Sequence, residues 1–192
     1  MLCDQNRIFV IEEVTSPRSH HMVGMNHWLE LIFPEYCPSR FDKLLSKYRS
    51  PDGRHQIQIF ICLVNNIVAG LAQQFYREWQ GGLLADIDLL GVLKPFRRSG
   101  LALSLVQQCL NATPEMARQY QIPTIGVASL IDPQYSPIVR LHQKQGGQIR
   151  KDYQYSSGDI IVWYPMQQEY GDITTSILGE QLHKFGQLLE IN

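Results

Sequence analysis

The sequence predicts a mixed α/β domain: a central mixed, mostly antiparallel sheet flanked by helices, with a C-terminal helical extension. Three observations carry this. Apolar runs of strand period follow one another between residues 57 and 93, separated by turn residues. A run of helical period opens directly after Gly100. Strand, helix and hairpin signals then follow between 124 and 166. That order lacks the even strand–helix alternation of a doubly wound fold.

Taken in order, residues 7–14 (RIFVIEEV) read as a strand. Met22, Met25, Trp28, Leu29 and Ile32 have helical spacing over 21–33, Pro34 and Pro38 end that helix, and 39–49 reads as a second. Ile57, Ile59, Ile61 and Leu63 alternate with Gln58, Phe60, Cys62 and Val64, which is strand period. Asn65-Asn66 is a hairpin signal, 67–78 returns as a strand, and a Gly81-Gly82 turn leads to a third, 83–93. The helix from Gly100 carries Ala102, Leu105, Val106, Cys109 and Leu110 on one face. A strand at 124–130 follows. Ser136 then caps a short helix with Pro137 at its first position, and strands at 148–155 and 159–166 close the domain, 1–166. In the extension, 167–192, Ile173, Ile177, Leu178, Leu182, Phe185, Leu188 and Leu189 form an apolar stripe. That stripe can cover the sheet or make a homodimer contact.

Composition removes several function classes. With 17 basic and 18 acidic residues the net charge is -1, too little positive charge for a general nucleic-acid binder. The longest unbroken apolar run, Ile59–Val64, is six residues, against roughly 20 for a membrane span. The N-terminal MLCDQNR lacks the basic-then-apolar order of a signal peptide. Cys3, Cys37, Cys62 and Cys109 form no C-x-x-C and no metal spacing, which points to reduced thiols and a cytoplasmic protein. His20, His21 and His27 have no acidic partner at ligand spacing, so no metal is expected. Tyr36, Phe41 and Tyr48 read as the core and rim of a helical lid rather than an aromatic cage.

The chemistry concentrates in KPFRRSGLALSLVQQ, residues 94–108. The first amides of a helix have no intrahelical partners, and the helix dipole makes that end positive. Gly100 admits a ligand close to the backbone, Ala102 adds little bulk, and Arg97 and Arg98 add charge. An anion fits there; a solvated basic turn that starts a helix fits as well.

Arg97-x-x-Gly100-x-Ala102 resembles the signature loop of the GNAT superfamily of N-acetyltransferases, (Gln/Arg)-x-x-Gly-x-(Gly/Ala), which holds the pyrophosphate of acetyl-coenzyme A. Asp86-Ile87-Asp88-Leu89-Leu90-Gly91-Val92 is similar to that family's preceding strand, and Asn65–Gly70 to its earlier hairpin. Ser136–Gly147 is similar to its late helix. The resemblance covers about residues 55–165. It implies a central mixed sheet splayed between the fourth and fifth strands. It also implies acetyl-CoA as acyl donor, held by Arg97, Arg98, Ser99, Gly100, Leu101, Ala102 and Leu103. The pantetheine arm would pair with the main chain of Leu90, Gly91 and Val92, with Gly91 easing a local bulge.

The resemblance implies direct attack by a small-molecule or peptide amine in a ternary complex. An ammonium must first lose a proton, and the family often uses a carboxylate from this strand. Asp86 and Asp88 share one strand face, and Asp88 is slightly favoured as the base because it lies nearer the thioester end. The pair could equally bind a cationic acceptor without proton transfer. Three positions depart from the family pattern. Tyr135 stands where an asparagine is frequent, and Gly147 where an aromatic follows glycine. His142 stands where a tyrosine usually protonates the leaving thiolate; an imidazole can do this near neutrality. A second reading is a non-catalytic acyl-CoA-binding module of the same fold. A third is a nucleotide-binding domain using the same cradle.

Overall fold

The computed structural model describes residues 9–14, 31, 57–132, 134, 136–150 and 160–166. The strands are β1 (Phe9–Glu13), β2 (Ile57–Val64), β3 (Ile67–Trp79), β4 (Gly82–Val92), β5 (Thr124–Ile131), β6 (Gln148–Arg150) and β7 (Ile160–Pro165). Among the described residues, helix α1 spans Leu101–Tyr120 and helix α2 spans Ser136–Lys144. Among the described residues the sheet has seven strands in the order β1-β2-β3-β4-β5-β7-β6. β4 and β5 run parallel, whereas β1–β2, β5–β7 and β6–β7 are antiparallel. This is the mixed, mostly antiparallel sheet that the sequence predicts. The helices expected at 21–33 and 39–49 and the C-terminal extension lie outside the described residues, apart from helical Leu31.

Both hairpin turns use left-handed backbone. Asn65 and Asn66 have φ of 51° and 60°, and Gln80 and Gly81 have 50° and 76°. Positive φ at both central residues is the type I′ geometry, whose twist matches that of the strands. The second turn therefore falls one residue before the expected Gly81-Gly82. Gly82 belongs to β4, where a Cβ would lie 2.6 Å from Cγ1 of Ile125.

The described residues group into two compact units. One lies within Met1–Gln73 and Leu89–Leu105, the other within Gln74–Asp88 and Val106–Asn192. In the first, β1 pairs with β2 from Phe9↔Val64 to Glu13↔Phe60. β2 is buried on both faces: Ile59 and Ile61 are buried on one, Phe60 and Cys62 on the other.

In the second unit, buried polar groups of β3 are satisfied from α1. Gln74 Nε2 donates to Thr113 Oγ1 (2.9 Å), Thr113 Oγ1 donates to the Cys109 carbonyl (3.0 Å), and the Tyr76 hydroxyl donates to Gln74 Oε1 (2.9 Å). Pro114 follows within α1 and supplies no amide to the preceding turn. The same unit is wedged by Trp163, fully buried in β7 and paired with Ala128 of β5.

Trp163 dictates the glycine at 126. A Cβ there would lie 2.3 Å from Trp163 Cη2 and 2.5 Å from the Tyr164 carbonyl oxygen. Backbone cannot yield as a flexible side chain can, so Gly126→Ala should cost about 3 kcal/mol or more. Denaturant unfolding monitored by tryptophan fluorescence checks this; an unchanged midpoint would contradict the packing.

Candidate active site

The main chain of β4 changes edge along its length. The Leu83 amide donates to the Pro123 carbonyl (2.7 Å), and the Ile87 carbonyl accepts from Ser129 Oγ (2.9 Å). At this end, odd-numbered residues therefore face β5. The Leu93 amide, just past the strand, donates instead to the Ala69 carbonyl of β3 (2.9 Å). Residues an even number apart on a regular strand use one edge, so the alternation slips once between Ile87 and Leu93. Gly91 lies within that interval, where a bulge is expected from the sequence.

Beyond the slip, the Val92 carbonyl accepts from Arg97 Nε (3.0 Å). Arg97 thus fastens the loop to the strand end as well as bringing charge. One turn of 3₁₀ helix, Lys94–Phe96, makes the descent, and Ser99 Oγ donates to the Phe96 carbonyl. Arg98 (φ 65°) and Gly100 (φ 86°) take left-handed backbone. The Ser104 amide donates to the Gly100 carbonyl (3.0 Å), so Gly100 caps α1. The amides of Leu101, Ala102 and Leu103 therefore come before the first intrahelical bond of α1. Arg97, Arg98, Ser99 and Gly100 are exposed, and a Cβ on Gly100 meets nothing within 4 Å. In α1, Leu101 is buried and Ala102 is only half-buried, so the apolar face begins one residue earlier than the spacing predicts.

Gly70 belongs to this construction, although sequence reasoning assigns it no role. A Cβ on Gly70 would lie 3.1 Å from the Gly91 carbonyl oxygen, 3.1 Å from Leu105 Cδ1 and 3.2 Å from Val92 Cγ2. The usable signal is a glycine inside an otherwise apolar strand.

The two aspartates of β4 differ sharply. Asp86 is 3% exposed and its Oδ1 has no hydrogen-bond partner, whereas Asp88 is exposed. Burial, and secondarily the charge of Asp88, push the Asp86 carboxyl well above the ordinary carboxylate range.

His142 is buried in α2, its Nδ1 2.6 Å from the Tyr164 hydroxyl, which is also 3.1 Å from the His142 carbonyl oxygen. That carbonyl already accepts the amides of Gln145 and Gly147 (both 3.0 Å). Burial pushes the imidazole down to about 4, so it is neutral at pH 7. The imidazolium that thiolate protonation would need is the form this environment disfavours. The aromatic at this place is Tyr164 of β7, a residue sequence reasoning misses because it lies 22 positions from its partner.

A cavity of about 670 Å³ lies beside Tyr164, lined also by Gln107, Asn111, Gln145 and Met166. Among the described residues no group of three His, Cys, Asp or Glu is placed to hold a metal ion, and no helix is long and apolar enough to cross a membrane. Cys62 and Cys109 are buried free thiols, both pushed up by burial, Cys62 to about 11. Cys3, Cys37, the three N-terminal histidines and the lid aromatics lie outside the described residues.

No family model and no curated protein matches the sequence. Solved structures do match. NAA60 of Arabidopsis thaliana in complex with acetyl-CoA is similar at 13% identity and a TM-score of 0.63, over 83% of this chain and 99% of that one. A GNAT-family acetyltransferase of Streptococcus pneumoniae is similar at 15% identity and a TM-score of 0.61, over 83% and 100%. The NatC complex bound to Gag peptide and CoA matches at 16% identity with a TM-score of 0.61, over 83% and 99%. By its sheet, its helix order and these likenesses, the chain has the fold of the GNAT superfamily of acetyltransferases.

Proposed function

We propose that the protein is an acyl-CoA-dependent N-acetyltransferase that passes an acetyl group to a primary amine, on a small molecule or a peptide, by direct attack. The observation that carries this is the glycine-capped N-terminus of α1, where Arg97, Arg98 and Gly100 are exposed, in the segment that follows the strand bearing Asp86 and Asp88. The solved complexes of similar fold hold acetyl-CoA or CoA, one of them with a peptide, which supports the same donor here.

Each residue then has a chemical task. The amides of Leu101, Ala102 and Leu103, with Arg97 and Arg98, hold the pyrophosphate. The main chain of Leu90, Gly91 and Val92 receives the pantetheine arm, and an amide there polarises the thioester carbonyl. Asp88, exposed, meets the ammonium of the acceptor. Asp86, whose proton affinity is raised, takes the proton. The amine nitrogen then attacks the thioester carbon, the C–N bond forms and the C–S bond breaks, and the proton that the nitrogen sheds in becoming an amide passes to the departing thiolate, so coenzyme A leaves as its thiol. His142, neutral and bonded to Tyr164, packs α2 against β7 instead of serving as the acid.

Gly100→Val puts a branched side chain at φ 86° in front of the first amides of α1. Coenzyme A should bind more than tenfold weaker by calorimetry, about 1.4 kcal/mol, with the fold retained. Unchanged affinity in a folded variant would remove the pyrophosphate from this loop.

The aspartates should separate kinetically. Asp86→Asn should lower kcat by about 10²–10⁴ with acetyl-CoA affinity kept, and Asp88→Asn should chiefly raise KM for the amine. Asp86 holds its proton more tightly folded than unfolded. Its stability contribution is therefore complete below its unfolded pKa of about 3.9 and is lost as pH rises through the raised folded value. Asp86→Asn should accordingly be more stable than wild type at neutral pH in thermal unfolding. Near wild-type rates in both variants would exclude carboxylate base catalysis.

For His142 the expectation is a structural one. Rate–pH profiles of His142→Phe and His142→Tyr, taken with one surrogate amine, should keep the same alkaline behaviour as wild type. Loss of an alkaline limb in the Phe variant alone would return the acid role to His142.

A further inference from the structure

The registered pairs of the parallel β4–β5 ladder are Leu83↔Thr124, Leu84↔Gly126, Ala85↔Val127 and Asp86↔Ala128, with one register shift at the start. Both strands run on past the last pair, β4 to Val92 and β5 to Ile131. In a continued ladder the next pair would be Ile87 with Ser129, and the Leu130 amide would donate to the Ile87 carbonyl. That carbonyl instead receives a side-chain donor, the hydroxyl of Ser129, at 2.9 Å. Ser129 is 4% exposed and its main chain is engaged with β7, opposite Val162. Its hydroxyl is therefore built into the interior at the rung where pairing stops.

We propose that Ser129 is a positioning residue: its hydroxyl occupies the Ile87 carbonyl and so ends the β4–β5 ladder at Asp86–Ala128, keeping the following main-chain groups of β4 for the acyl donor. The last clause rests on the function proposed above; the ladder-ending role does not. A buried carbonyl demands a donor. If a main-chain amide of β5 were that donor, the strands would zip by another rung. A side-chain hydroxyl satisfies the same acceptor without committing the Leu130 amide to it. Serine is short enough to reach the neighbouring strand and small enough to remain buried beside Val162.

The test is Ser129→Ala against Ser129→Thr, which retains a hydroxyl, and Ser129→Cys, close in volume to serine, should the alanine variant fail to fold. Amide hydrogen exchange is read at Leu130, and coenzyme A affinity by calorimetry. With the hydroxyl gone, the Leu130 amide should take over the Ile87 carbonyl and exchange at least tenfold more slowly. Coenzyme A should bind at least fivefold weaker, and threonine should restore both. A merely structural serine predicts the opposite, faster exchange at Leu130 as the region loosens. Exchange at Leu130 that is unchanged or faster overturns the proposal, as does wild-type affinity in a variant whose Leu130 has become protected. If wild-type protein binds no coenzyme A, the proposed function fails instead, and the exchange measurement alone still decides the role of Ser129.

Discussion

Every buried peptide group must find a partner, and β4 meets that requirement with three different kinds of donor along one strand. Its first residues use the main chain of β5, Ile87 uses a serine hydroxyl, and Val92 uses a guanidinium. Only the first of these is ordinary sheet. The slip in alternation between Ile87 and Leu93 allows the later groups to change edge, and the close packing of Gly70 against Gly91 and Val92 supports the strand after it. The helix start at Gly100 follows eight residues beyond Val92, joined to the strand by Arg97 and by a single 3₁₀ turn. The start of α1 is thus anchored to the end of β4.

Much of this was legible in the sequence, for a definite reason. Strand and helix periods, the two-residue hairpins and the glycine before α1 are local properties, set by which dihedrals and faces a residue tolerates. Ser136-Pro137 opens α2 as a cap and first-turn proline should. What spacing could not convey was depth. Asp86 and Asp88 share a strand face by parity, yet one is buried and the other exposed, because what covers a face comes from elsewhere in the chain. The partners of His142 and Ser129 lie 22 and 42 positions away, and no local pattern announces them. The turn at Gln80–Gly81 was misplaced by one residue because the steric demand on Gly82 comes from Ile125.

Depth also reverses the chemistry that residue type suggests. Asp86 and His142 are both buried, and in both burial disfavours the charged form. For the carboxyl this means a stronger hold on a proton, and for the imidazole a weaker one. The carboxyl's affinity for a proton rises above that of an ordinary carboxylate, and the imidazole is neutral at pH 7. Reading acid and base from identity alone would exchange the two.

The chain of hydrogen bonds from Tyr76 through Gln74 and Thr113 to the Cys109 carbonyl has a direction. Each hydroxyl has a single proton to give, and the last member can only accept, so the run is oriented from tyrosine to carbonyl. That orientation selects one of the two faces of the Gln74 carboxamide, oxygen toward Tyr76 and nitrogen toward Thr113. A glutamate at 74 would offer the same shape but no nitrogen donor, so Thr113 would have to surrender its proton to the new carboxylate and release the helix carbonyl it now holds. The interior there reads the difference between an amide and an acid, which differ by one heavy atom.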